Sequence, residues 1–184
     1  MTNLLAALLV LAQAENPDLK YKPELGISVA KPPKMEEWGF KDGGIYRDPI
    51  VCVSHKVDTL HIEILGQAPP DSAGQNAAYW NVKGSLENHW TGFAGNVAFK
   101  DAKQTDFKQS KLPGGGGGGA QTWYVSGTFK LNETPMEHYA WCFVGKESKV
   151  VYIVTMTGDA GMYKKHQKVA DYVLSSIRCY KRPK

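Results

Sequence analysis

His55, His61 and Glu63 are the side chains in this 184-residue sequence whose types and spacing best suit metal ligation. They fall in "IVCVSHK" and "TLHIEILG", two segments with strand patterning joined by a tight turn near Val57 and Asp58. Such a turn is expected to bring His55 and His61 onto facing positions, with Glu63 two residues further along the same face. Two imidazoles and a carboxylate suit Zn²⁺ or Cu²⁺. The same residue types are also common on a solvated outer sheet face.

Other residues offer less. His89, His138 and His166 are isolated in sequence, and His166 falls on an apolar helical stripe, which reads as a packed histidine. Asp101 and Asp106 lie on one polar strand-like segment, but an odd separation turns them to opposite sides of a regular strand, unlike a glycosidase pair. The sequence has no nucleophile elbow, HExxH, CxxC or EF-hand loop. Gly114 to Gly119 form a run of six glycines, yet Ala120 and Gln121 follow where a phosphate loop needs Lys and Ser or Thr opening a helix. Strand patterns flank the run, so residues 113–121 read as a flexible hairpin loop. Asn132-Glu133-Thr134 matches the N-glycosylation pattern, with Pro135 just after it. Cys52, Cys142 and Cys179 show no metal spacing; one pair could bridge, or all three could stay reduced, with Cys142 acting as a small core hydrophobe.

Residues 1–14 read as an export signal. Leu4 to Leu11 are apolar and too few to span a bilayer, and Ala12-Gln13-Ala14 supplies small residues at a cleavage site. The n-region lacks Lys and Arg, and a buried N-terminal helix is the competing reading. Residues 15–23 form an N-terminal extension and 24–184 a single domain. No other segment has the length and apolarity of a membrane span. The composition is 42% hydrophobic and 11% aromatic, which supports one good core. A formal net charge of +4, with no basic stripe interleaved with aromatics, does not point to nucleic acid. No cofactor signature is present.

Several elements must position these residues. "QTWYVSGTFKL" alternates, with Trp123, Val125, Phe129 and Leu131 on one face. "EHYAWCFVG" and "KVVYIVTMTG" are apolar on both faces, so both faces must be covered. "NVAFKDAKQTDFKQSKL" reads as a polar, bulged edge strand. Ala78, Val82, Leu86 and Trp90 recur every four residues and predict a helix over 72–90. Tyr79 and Trp80 widen its stripe and could line a pocket. Met162, His166, Val169, Ala170, Val173, Leu174 and Ile177 predict a closing helix, with Asp159 as its cap. The expected class is α+β, an antiparallel sheet with helices packed on both faces.

In its order of elements the chain resembles the PsbP-like superfamily. The resemblance lies in "LGISVAKPP…W" (Leu25 to Trp38), "TWYVSGTF" (Thr122 to Phe129) and "VLSSIR" (Val173 to Arg178), and covers about residues 24–180. It implies an antiparallel sheet sandwiched by helices and a non-enzymatic adaptor or assembly role, and it assigns no functional residue here. The expected function is an exported, non-catalytic domain that binds a protein partner in the cell envelope or extracellular space. The alternatives are a small-ligand or metal-binding envelope protein and, third, a hydrolase without a recognised motif.

Overall fold

The computed structural model describes residues 18–46, 48–67, 81–113 and 121–182. Residues 1–14, where an export signal is expected, the first half of the expected 72–90 helix with Tyr79 and Trp80, and the six glycines lie outside the described residues. The described elements run β1 (Leu19–Lys22), β2 (Ile27–Ala30), β3 (Trp38–Lys41), β4 (Val51–His55), β5 (Leu60–Gln67), α1 (Val82–Ala94), β6 (Phe99–Gln104), β7 (Lys108–Gln109), β8 (Thr122–Leu131), β9 (Thr134–Val144), β10 (Val151–Asp159), α2 (Met162–Ser176) and β11 (Arg178–Cys179).

The fold is mostly antiparallel β-sheet. The main sheet has strand order β3-β4-β5-β10-β9-β8-β6, with β7 also paired to β8, and a small second sheet has order β1-β2-β11. Alternation decides where side chains go. On β9, Trp141 and Phe143 join one apolar cluster with Ala170, Val173 and Leu174 of α2; Met136, Ala140 and Cys142 join another with Val82, Leu86, Trp90 and Phe93 of α1. Burying each large apolar side chain contributes roughly 1.5–3 kcal/mol.

Helix α1 overlaps the expected span from Val82 on and ends beyond it, at Ala94. Asn81 caps it by accepting a hydrogen bond from the Gly84 amide at 2.9 Å, and it continues past Trp90 because Phe93 extends the buried stripe. Helix α2 is not capped by Asp159, which ends β10. Its N-cap is Gly161 at φ 91°, and the Glu137 carboxylate of β9 accepts from the Tyr163 amide at 2.9 Å. Beside the glycine run, β7 and β8 pair antiparallel through Gln109 and Trp123. The edge strand β6 shifts register between Lys100 and Lys103, with Asp101 at φ 55° in the irregularity.

Candidate functional site

The structure does not bring His55, His61 and Glu63 together. The β4–β5 register pairs Ser54 with His61 and Cys52 with Glu63, so His61 and Glu63 share the face of Ser54. His55, one residue on, points to the other face, where Trp38 of β3 is its cross-strand partner.

On the α2 face, His55 meets groups that sequence spacing did not reveal. Its Nδ1 accepts from the Asp58 amide at 2.8 Å and the Val57 amide at 3.3 Å, so Nδ1 holds a lone pair and the ring proton sits on Nε2. Nε2 lies 3.5 Å from the exposed carboxylate of Glu37. The Asp58 carboxylate oxygen Oδ2 is 2.6 Å from both the Lys165 ammonium and His166 Nε2, and 3.9 Å from His55 Nδ1. Hydrogen bonds from Lys165 and His166 hold the Asp58 pKa down at about 2. The two imidazole centroids are 4.6 Å apart, and buried Trp38 sits edge-on to both at 5.3 and 5.5 Å. His166 itself has non-helical backbone (φ −107°, ψ 17°), which breaks α2 after its first turn. It is therefore part of a polar network and not simply packed on an apolar stripe.

On the α1 face a row of polar groups crosses four strands: Ser54, His61, Thr157 and His138. His138 Nδ1 is 2.7 Å from Thr157 Oγ1, its Nε2 is 3.5 Å from His89 Nε2, and His89 Nε2 is 3.0 Å from the Tyr46 hydroxyl. The phenyl ring of Phe93 stacks on His138 at 4.0 Å. Burial lowers the His89 pKa to about 4 and pushes that of His138 well below its ordinary value. Glu63 is fully buried, and its two oxygens each accept a hydrogen bond at 3.1 Å, from the Ile45 and Tyr46 amides. Burial raises the Glu63 pKa, against those two amides, and burial then Glu63 push Cys52 up to about 12. On this face Ser54 Oγ, His61 Nδ1 and Thr155 Oγ1 are buried without a hydrogen-bond partner. Beside Glu63, Leu65, Val151 and Ile153 face Ser85 and Asn88 of α1 across a cleft of about 280 Å³.

The three cysteines are free thiols, with Cys52 and Cys142 buried. Asp101 pairs with Lys130 at 2.8 Å. Among the described residues no helix is long and apolar enough to cross a membrane.

No family model matches the sequence, and no curated protein matches it. Solved structures do. The solution structure of cyanobacterial PsbP (CyanoP) from Synechocystis sp. PCC 6803 aligns with a TM-score of 0.60 at 10% identity, covering 90% of this chain and 94% of that one. LpqN of Mycobacterium tuberculosis, involved in cell envelope biogenesis, aligns with a TM-score of 0.56 at 13% identity, covering 94% and 96%. A Bacteroides thetaiotaomicron protein aligns at 0.54 and 15% identity, where this chain spans 48% of the other. The chain has a PsbP-like fold.

Proposed function

We propose that this protein is an exported, non-catalytic domain that binds a protein partner in the cell envelope or extracellular space. The observation that carries this reading is the backbone similarity to LpqN, a protein involved in cell envelope biogenesis, over 94% of this chain. The reading includes a helix on each face of the sheet, supported by the alternation of β9 residues between the α1 and α2 clusters.

The candidate contact surface is the outer edge at β6. Val97, just before that strand, is 99% exposed, and Lys100 and Lys103 flank the register shift. Val97 thus offers a fully solvent-facing position beside the outer edge of β6, where an added strand or partner would sit. The test is a photo-reactive cross-linking residue at position 97 of the full chain, expressed in its own cells, with products read by mass spectrometry. One dominant adduct, lost when the exposed Lys100 and Lys103 are both changed to Glu, is the expected result. A diffuse adduct pattern, the same as that from a cross-linker at Glu87 on α1, would refute the β6 surface. The second reading, metal binding, is favoured by the Asp58 cluster.

A further inference from the structure

We propose that His55, Asp58 and His166 form a binding site for a divalent transition-metal ion of the Zn²⁺ type. One ligand atom from each lies within 4.8 Å of the other two. Ligands around a tetrahedral Zn²⁺, with bonds of about 2.0–2.2 Å, stand about 3.4 Å apart. The required contraction is therefore small for His55 Nδ1 and Asp58 Oδ2, now at 3.9 Å, while His166 and Asp58, now at 2.6 Å, move apart as the metal replaces the proton between them. Two imidazole nitrogens and a carboxylate oxygen make a donor set that suits Zn²⁺ and disfavours Ca²⁺ or Mg²⁺.

Three features prepare the site. His55 Nδ1 already carries its lone pair, so no proton need leave it; the metal displaces the Val57 and Asp58 amides instead. The frame is stiff, because buried Trp38 brackets both imidazoles and the break in α2 turns His166 onto Asp58. Asp58 Oδ2 is already reached by two donors' nitrogens, and the Lys165 ammonium among them is 56% exposed. Lys165 can swing into water at little cost, since an exposed ion pair contributes about 0–1 kcal/mol. The site lies at the surface, since Val57, between His55 and Asp58, is 85% exposed, so a fourth ligand can come from outside the chain. An open position of this kind takes water or a donor from another molecule. This inference does not depend on the β6 surface.

The test separates a metal site from a purely structural latch. The full chain, stripped with chelator, is titrated with Zn²⁺ by calorimetry and with Co²⁺ by visible absorption. The expected result is one equivalent bound, with visible bands of low-coordinate Co²⁺, and affinity reduced at least about tenfold in Asp58→Asn and His166→Gln. Lys165→Met is the discriminating variant. Removing the competing ammonium should tighten metal binding, whereas a latch would only lose stability. His61→Gln should bind as the parent does. No saturable binding in either the parent or Lys165→Met overturns the proposal. So does binding that survives both Asp58→Asn and His166→Gln, or that disappears in His61→Gln while the variant stays folded by circular dichroism.

Discussion

His89 and His138 approach each other nitrogen to nitrogen, at 3.5 Å, beneath the ring of Phe93. Both are held neutral by burial, and His89 further disfavours a charge on His138. An unfolded chain binds protons on these rings near the ordinary pKa of 6.5; the folded chain resists. The stability they contribute is therefore intact above pH 6.5 and is lost as the pH falls from 6.5 towards 4. For His89 the loss amounts to roughly 3 kcal/mol. The raised Glu63 pKa acts with the opposite sign and offsets part of it. Melting temperatures of the parent and His89→Gln between pH 7 and pH 4 check this. The variant should lose less on acidification, and since Glu63 is common to both, the difference reports His89 together with its effect on His138.

Glu63→Ala should cost about 2–4 kcal/mol at pH 7, because it strands two amide donors and opens a void. The amides of Ile45 and Tyr46 both depend on that carboxylate, and the loop packs so closely that a Cβ at Gly44 would lie 2.8 Å from it. Urea denaturation measures the loss. Hydrogen exchange should show it concentrated in residues 42–46.

Gly127→Ala should destabilise by about 1–3 kcal/mol through overpacking. A Cβ there would stand 2.1 Å from Cη2 of Trp90 and 2.4 Å from the Lys103 carbonyl oxygen. The indole of α1 lies directly on the β8 backbone, so neither neighbour can yield without moving an element. A double variant with Trp90→Leu should recover part of the loss in thermal unfolding, since the obstructing ring is gone.

Glu133→Gly should stabilise the fold by a few tenths of a kcal/mol to about 1 kcal/mol. Asn132 and Glu133 form the two-residue β8–β9 turn at φ 50° and 64°. Both values are left-handed, as a type I′ turn requires, and glycine is the residue that adopts them without strain at the second position. The exposed pair of Glu133 with Lys100, at 3.0 Å, is lost in exchange and is worth little. A rise in melting temperature is expected; a fall would mean that the pair with Lys100 outweighs the backbone strain.

The strands of the sheet were legible because their side chains alternate. Trp123, Val125 and Phe129, and the two-sided apolar pattern of Tyr139 to Val144, predict β8 and β9 without a structure. The expected His55–His61–Glu63 face failed through a single step of register: the turn pairs Ser54 with His61, and one residue of slip inverts every side chain. Asp58 and His166 could not be joined by spacing, since their contact exists only once α2 rests on the β4–β5 turn. The Asp159 cap failed because β10 uses that residue to finish its pairing with β9, opposite Met136. The His89–His138 contact was hidden for a similar reason, being made across two elements that are separately unremarkable.

The β5–β10 seam has a consequence for biogenesis. Ile64 pairs with Val154, and the partners across the seam range from Gln67 with Val151 to Leu60 with Gly158, all far apart in sequence. Strands β8, β9 and β10 follow one another through short connections and can pair as they leave the ribosome, whereas β5 must wait for them. Until β10 is made, β5 has β4 on one side and an open backbone edge on the other, and that unpaired edge is a place where a nascent chain can mispair.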